Sequence, residues 1–436
     1  MPTSFARALA RPKILAMLAL GFASGLPFLL VGNTLGYWLR EEGTTLSAIG
    51  YLSWVGLAYS SKFLWAPLID RFDAPLLGWL GRRRGWMALS QLTVMAGLLG
   101  MAWLTPKGGL TAFALLALLT AFAAATQDIV IDAWRIETAD NGEEQALLTS
   151  ASQLGYRAAL LITDALILIL AAGVGWVVSY QWMAALMALG LMATWCAREP
   201  LGSALAGAAE PRLSLSSLGS MIVSPLRLFF VQHGATALLM LAAISLYRLP
   251  DFVLGPMANP FYADLGIAKE TVGAVRASFG LVATFAGIAA AGLAALRYGL
   301  VPTLLAGAVL GPASNLAFAA LAWHGPDPTW FAGAMVIDNF ATGFAGTALV
   351  AYMSSLIGLG YTATQYALLS SFYALLGKTL KGFSGATVEA LQAASTPMDG
   401  YALFFVGTAV IGLPALLLTA WLTRRTPAPA RPSTPP

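Results

Sequence analysis

The chain has 436 residues, of which 58% are hydrophobic and only 10% charged, and its mean hydropathy is +0.75. A soluble domain holds about 45–50% apolar residues, so this composition excludes an ordinary soluble protein and points to a membrane protein. A single cysteine, Cys196, excludes a disulfide framework and a cysteine-based metal site, and the net charge of +4 follows the placement of loops, which excludes a nucleic-acid partner.

Apolar runs of about twenty residues, each long enough as a helix to cross hydrocarbon roughly 30 Å thick, recur along the sequence. Twelve spans are predicted, at 14–38, 47–66, 86–104, 111–135, 146–172, 176–197, 227–258, 271–293, 300–322, 329–352, 364–390 and 399–422. The ten-residue alternation of a membrane β-barrel is absent. The first run is too long for the core of a cleavable signal and no A-x-A site closes it, so it reads as a retained span. With the N-terminus inside, Arg7, Arg11, Lys13, Arg71, Arg82, Arg83, Arg84, Arg135 and Arg198 share one side with most other loop arginines. The opposite side holds Arg40, Lys107 and Lys269. This bias predicts both termini in the cytoplasm.

After the second predicted span comes "APLIDRFDAPLLGWLGRRRGW". Positive-inside charge accounts for Arg71, Arg82 and Arg83 but not for Asp70, and a charge latch between helices that separates on gating accounts for both. The fourth span ends in "ATQDIVIDAWRIE", where Asp128, Asp132 and Arg135 fall on one helical face. A charge inside a span costs several kcal/mol unless it is paired or faces water. Two neighbouring carboxylates hold a proton more readily than one, which suits a proton carrier. Arg157, midway along the fifth span, is the expected partner of Asp128. A purely structural pairing is the competing reading, strongest for Asp132 and Arg135 near the helix end.

The segment "REPLGSALAGAAEPRLSLSSLGS" is small, polar and Pro-containing, and reads as a linker (199–226) between an N-terminal bundle (1–198) and a C-terminal one (227–423). The tail, 424–436, is Pro-rich and reads as disordered. The halves repeat: at an offset of 223, Leu26–Pro27, Gly32, Gly43 and Gly50 fall on Leu249–Pro250, Gly255, Gly266 and Gly273. "ALLTS" (146–150) matches "ALLSS" (367–371), which brings Arg157 onto Lys378. Parallel repeats of this length are the arrangement of major facilitator transporters, with substrate bound near mid-bilayer between halves. Pro27 and Pro250 would bend their helices. Gly21 and Gly25 are expected to allow close helix packing. Asp251, Asp338, Lys378 and Lys381 are further in-span charges, with Asp338 expected to answer either lysine. Gln127, Tyr37, Trp38, Tyr156 and Tyr373 could hydrogen-bond or stack on a ligand, although membrane aromatics more often pack. "GFSG" (382–385) mimics an intramembrane serine protease, yet His233 and His324 both precede it and no later helix supplies a base.

The segments "LGFASGLPFLL", "KFLWAPLIDR", "LGRRRGW", "ATQDIVIDAWRIE", "QLGYRAALL", "SLYRLPDF", "ASNLAF" and "TATQYALLSS", in this order across nearly the whole chain, resemble the AmpG-type muropeptide permeases of bacterial inner membranes. The resemblance implies proton-driven import of anhydro-muropeptides, GlcNAc–anhydroMurNAc with or without its peptide, for cell-wall recycling. It carries over Gln127, Asp128 and Asp132 as the Q-D-x-x-x-D positions, Arg157 as the G-Y-R arginine and Asp251 as the aspartate after "LYK/R". The chain departs from the pattern at Pro250 (a glycine elsewhere), Lys378 (an arginine) and Asp338 (a glutamate).

The expectation is therefore an all-α polytopic membrane protein of two parallel-repeat six-helix bundles, a secondary transporter and not an enzyme, without cofactor, driven by a proton gradient. Asp128 with Asp132 would couple protons. Gln127, Tyr156, Arg157, Asp251, Asp338, Lys378 and the aromatics would meet substrate, and Pro27, Asp70, Arg71, Arg82, Arg83 and Pro250 would gate. Its partners would be the lipid bilayer, protons and a glycan-peptide, and it would act as a monomer. Import of a siderophore or an acyl-CoA-like solute is the alternative cargo, and a membrane-embedded enzyme the alternative class.

Overall fold

The computed structural model describes residues 12–140, 142–200, 230, 231, 234, 236–356 and 374–425. Among them, nine helical stretches are long and apolar enough to cross a membrane. The chain divides into two compact units, Met1–Arg212 with Ala268–Ala274, and Leu213–Ile267 with Val275–Pro436.

In the first unit, α1 (Pro12–Leu30), which carries Pro27 inside it, and α2 (Asn33–Glu41) form one stretch interrupted by a turn at Val31–Gly32. The break falls at Gly32, whose non-helical backbone (φ −121°, ψ −123°) caps α2. The second predicted span is not one helix. It runs as α3 (Leu46–Leu52), a 3₁₀ turn (Ser53–Gly56), α4 (Leu57–Ser61), a second 3₁₀ turn (Lys62–Leu64) and α5 (Ala66–Arg71). Then come α6 (Arg82–Leu104), α7 (Leu110–Glu137) and α8 (Gly142–Leu161). A π-helical turn (Ile162–Leu166) leads into α9 (Ile167–Leu186), bent at Gly175 where φ is 81°, and α10 (Ala188–Cys196) closes the unit.

Two small residues set the packing of α1 on α8. A Cβ on Gly21 would overlap the Ser152 carbonyl oxygen, and one on Gly155 would overlap the Leu18 carbonyl. The two backbones touch, as the spacing of Gly21 and Gly25 leads one to expect. Around this seam Ile14, Met17, Leu20, Met87, Val130, Trp134 and Leu148 form the core. At the opposite end of α1–α2, Trp38 stacks on Trp176 and meets Phe113 edge-on. The segment Ala268–Ala274 belongs here because Lys269 Nζ reaches both Glu41 carboxylate oxygens, at 2.9 and 3.0 Å, and lies over the Trp176 ring.

The second unit contains α11 (Thr236–Tyr247), α12 (Leu249–Leu265) and α13 (Lys269–Val275), whose last residue alone falls in this unit. A π-helical turn (Arg276–Gly280), α14 (Leu281–Tyr298), α15 (Leu300–His324) and α16 (Pro328–Ser355) follow. Its last helices are α17 (Ser384–Ala393), α18 (Pro397–Ile411) and α19 (Leu413–Arg425). Pro250 opens α12 instead of kinking a continuous helix, because the chain breaks at Arg248 and proline is preorganised for a first helical turn. Phe261, Tyr262, Phe318, Phe331, Tyr401 and Phe405 form the aromatic centre of this unit.

The predicted linker falls largely, and the tail mostly, outside the described residues, as do Tyr373, "ALLSS" and His233.

Candidate functional site

In the first unit a charge cluster is assembled from four stretches. Asp128 comes from α7, Ser24 from α1, Tyr59 and Lys62 from the broken second span, and Tyr156 from α8. The Ser24 hydroxyl donates to Asp128 Oδ1 in a short contact, and Lys62 Nζ stands 4.0 Å from Asp128 Oδ2. The rings of Phe28 and Tyr59 meet edge-on at 5.3 Å, and Tyr59 and Tyr156 both lie within electrostatic range of the carboxylate. The 3₁₀ turn at Lys62–Leu64 delivers the ammonium to this spot, and Trp65 Nε1 pins the turn to α7 through Thr126 Oγ1 at 3.1 Å. The pair is not sealed: the Asp128 side chain is 15% exposed and Lys62 36%. At span depth, charges that keep access to a wet opening avoid the full penalty of burial in hydrocarbon.

Gln127, next to Asp128, is fully buried, and neither atom of its amide has a partner among the described residues. Asp132 pairs with Arg135 at 3.1 Å within α7. The predicted shared face is present, but the pair staples one helix to itself rather than joining two.

The second unit carries its own charges. Arg248 and Asp251 form an ion pair at the start of α12. Arg276 Nη2 donates to Asn259 Oδ1 at 2.6 Å and lies over the Tyr262 ring. Asp338, on α16, is partly exposed and contacts the Ser314 hydroxyl of α15 at 3.3 Å, with Asp251, Arg248 and Arg276 as its electrostatic neighbours. A groove of about 760 Å³ between α14, α15 and α16 is lined by Phe279, Val282, Leu310, Ile337 and Phe340 and offers only Ser278 and Ser314 as polar side chains. A sugar would find few partners there, so the groove is not the polar site.

No family model matches the sequence. The anhydromuropeptide permease of Escherichia coli K12 is 34% identical over 421 residues, covering 96% of this chain and 81% of that protein. AmpG 4 of Rickettsia conorii is 32% identical over 418 residues, covering 95% of this chain and 97% of its own. The chain belongs to the AmpG permease family. Among solved structures, the nucleoside transporter NupG superposes with a TM-score of 0.68 at 16% identity, over 96% of this chain and 100% of NupG. A peptide transporter, POT, bound to sulfate gives 0.67 at 15% identity, over 95% of this chain and 94% of POT. The fold is that of the major facilitator transporters, and the permease is a multi-pass membrane transporter rather than an enzyme.

In this permease three sequence expectations are corrected. The ion-pair partner of Asp128 is Lys62; Arg157 is exposed on α8. Tyr37 and Trp38 are 2% and 1% exposed, packed against Trp176 and, for Trp38, Tyr180 and Phe113, so they hold helices together and present no face to a sugar. Asp338 meets Ser314 and has Asp251 and two arginines around it, not the lysines of "GKTLKG". The serine-protease decoy is structural, because Ser384 is buried and donates its hydroxyl to the Val253 carbonyl at 2.7 Å.

The arginine loop is built around a residue more central than the spacing predicts. Arg83 is almost buried and bonds Asp70 Oδ1 at 2.7 Å and Glu137, at the end of α7, at 2.5 and 3.0 Å. Glu199, after α10, accepts the backbone N–H groups of Arg83 and Arg84 at 2.8 and 3.0 Å, where the exposed amides of a helix start favour an anion. Arg82 is peripheral, bonding the Asp70 carbonyl at 2.8 Å and exposed Asp73 at 3.4 Å. The Arg71 side chain lies outside the described residues. Glu137 and Glu199 escaped the sequence reading because each sits at a helix end, where a carboxylate needs no explanation.

Proposed function

We propose that the permease imports anhydro-muropeptides across the bacterial inner membrane, driven by protons, from a twelve-span monomer with both termini in the cytoplasm. The observation supporting this cargo is the 34% identity to the anhydromuropeptide permease of Escherichia coli along 96% of the chain. The observation supporting proton coupling is the half-open Asp128–Lys62 pair.

The chemistry runs through that pair. Ionised Asp128 accepts the Ser24 hydroxyl and neutralises Lys62. A proton on Asp128 cancels its charge and frees the ammonium to take a carboxylate of the glycan-peptide. Return of the proton to the cytoplasm re-forms the pair and expels the anion. Arg157, exposed on α8, adds positive charge for the same cargo, and Tyr156, partly exposed on the same helix, supplies a hydrogen bond for its sugars. The arginine network around Arg83 acts as the cytoplasmic latch with Asp70.

The test is uptake of labelled GlcNAc–anhydroMurNAc-peptide into cells with and without the permease, at two external pH values. Permease-dependent uptake that rises at the more acidic external pH supports the reading. Equal uptake in both cell types ends the muropeptide assignment. Permease-dependent uptake indifferent to external pH ends the coupling assignment alone.

A further inference from the structure

Asp338 is the eleventh residue of α16, roughly 15 Å along the axis at 1.5 Å per residue, which is about half of a 30 Å hydrocarbon layer. A carboxylate at that depth needs open water, a cation, several donors or a proton, and Asp338 is only partly exposed. The cations around it have other work. Arg248 is ion-paired with Asp251, and Arg276 donates to Asn259. Asp251 adds like charge, which disfavours ionisation of a neighbour.

Among the described residues the remaining polar contact is Ser314, and its geometry discriminates between the two forms of the acid. A hydroxyl has one proton to donate and two lone pairs to accept with. Ser314 Oγ lies 2.7 Å from the Gly311 carbonyl oxygen and 3.3 Å from Asp338 Oδ1. A carbonyl only accepts, so the shorter contact takes the hydroxyl proton and turns the lone pairs of Oγ toward Asp338. Lone pairs facing a carboxylate repel it; lone pairs facing a carboxylic acid accept its O–H. The arrangement is the reverse of that at Asp128, where a serine hydroxyl closes on the acid and a lysine stands opposite.

We propose that Asp338 is a second proton-binding group of the permease, held as the neutral acid with its O–H donated to Ser314 Oγ, and released once per transport cycle. The proposal rests on the coupled-transport reading and adds a proton to its stoichiometry. Asp128 starts the cycle ionised and waiting for a proton, whereas Asp338 starts it loaded.

Two measurements on purified permease test it. Infrared spectroscopy at neutral pH reads occupancy without any transport. The carbonyl stretch of a protonated, hydrogen-bonded carboxyl is expected in the native protein and in Asp128→Asn. It should be lost in Asp338→Asn and shifted to higher frequency in Ser314→Ala, which keeps the acid and removes its acceptor. Absence of the band in the native protein, or its survival in Asp338→Asn, overturns the proposal whatever the transport result. In proteoliposomes with the membrane potential clamped at zero, the accumulation ratio of labelled GlcNAc–anhydroMurNAc is read against the imposed pH gradient. Each coupled proton contributes about tenfold per pH unit, so the ratio should rise about a hundredfold per unit in the native protein and about tenfold in Asp338→Asn. Equal slopes overturn the second proton. The infrared band together with no gradient-driven accumulation in the native protein overturns the import reading and the release step, and leaves the loaded acid standing.

Discussion

Lys62 Nζ stands 4.0 Å from Asp128 Oδ2 while the Ser24 hydroxyl closes on Oδ1, so three helical stretches converge on one carboxylate. A pair this long and this accessible is a weak staple. Partly exposed pairs of this kind contribute up to about 1 kcal/mol. Asp128→Asn should therefore fold with only a small loss of melting temperature, and net proton-driven uptake should be lost, because the empty carrier returns only after Asp128 gives up its proton, while exchange of preloaded substrate persists. Equal loss of accumulation and exchange, with the protein folded, would show that Asp128 only holds the structure.

Lys62→Met probes the same contact from the other side. It leaves the carboxylate without its cation, whereas the double variant with Asp128→Asn removes both charges together. The double variant should recover most of the stability lost by Lys62→Met, with a coupling of about 1 kcal/mol in a double-mutant cycle of thermal unfolding in detergent. Additive losses would mean that the two side chains do not sense each other.

Arg83 should behave differently, because its side chain is 7% exposed and serves two carboxylates. Removing one partner of a buried pair costs about 3–5 kcal/mol, and the low end, about 3 kcal/mol, is expected here because Asp70 is 56% exposed. Arg83→Ala should lower the melting temperature accordingly. Arg83→Lys should rescue only part of the loss, since an ammonium cannot reproduce the two-pronged contact with Glu137. Full rescue by lysine would show that charge alone matters at this position.

The seam between α1 and α8 gives the strongest packing prediction. Gly155→Leu places a side chain where the Leu18 carbonyl already sits, so the two backbones must part. Overpacking of this kind costs about 1–3 kcal/mol. Gly173→Ala, at a glycine whose Cβ position is open, is the control and should be close to neutral. Similar melting temperatures for the two variants would contradict the close approach.

What was legible in the sequence follows from what one helix can reveal about itself. Asp128 stood out because a carboxylate in "ATQDIVIDAW" must have a reason, and the Asp132–Arg135 contact followed from a spacing of three. Lys62 could not be matched to Asp128 from the sequence, because the match depends on two 3₁₀ turns in the second span, and in "YSSKFLWAP" only Pro67, at the start of α5, hints at a break. Tyr37 and Trp38 were misread for a related reason. An aromatic that stacks on sugar and one that stacks on Trp176 look alike until the neighbouring helix is in place. Glu137 and Glu199 are ordinary helix-end carboxylates until Arg83 is seen between them and Asp70.

The last prediction concerns acid stability at the start of α1. Glu144 accepts the Asp140 backbone N–H at 2.7 Å and the Lys13 ammonium at 3.0 Å, while Lys13 also donates to the Thr138 carbonyl at 2.7 Å. The backbone hydrogen bond first, and Lys13 after it, hold the Glu144 carboxyl below the usual carboxylate range, against the opposing effect of desolvation. A depressed folded pKa means that the stabilisation is present above the unfolded value, about 4.3, and is lost as pH falls through the folded value. Glu144→Gln should therefore melt below the native protein at neutral pH, and the two curves should converge as the pH drops under about 4. A constant offset at every pH would assign the loss to packing instead of to the charge that ties α1 to the turn before α8.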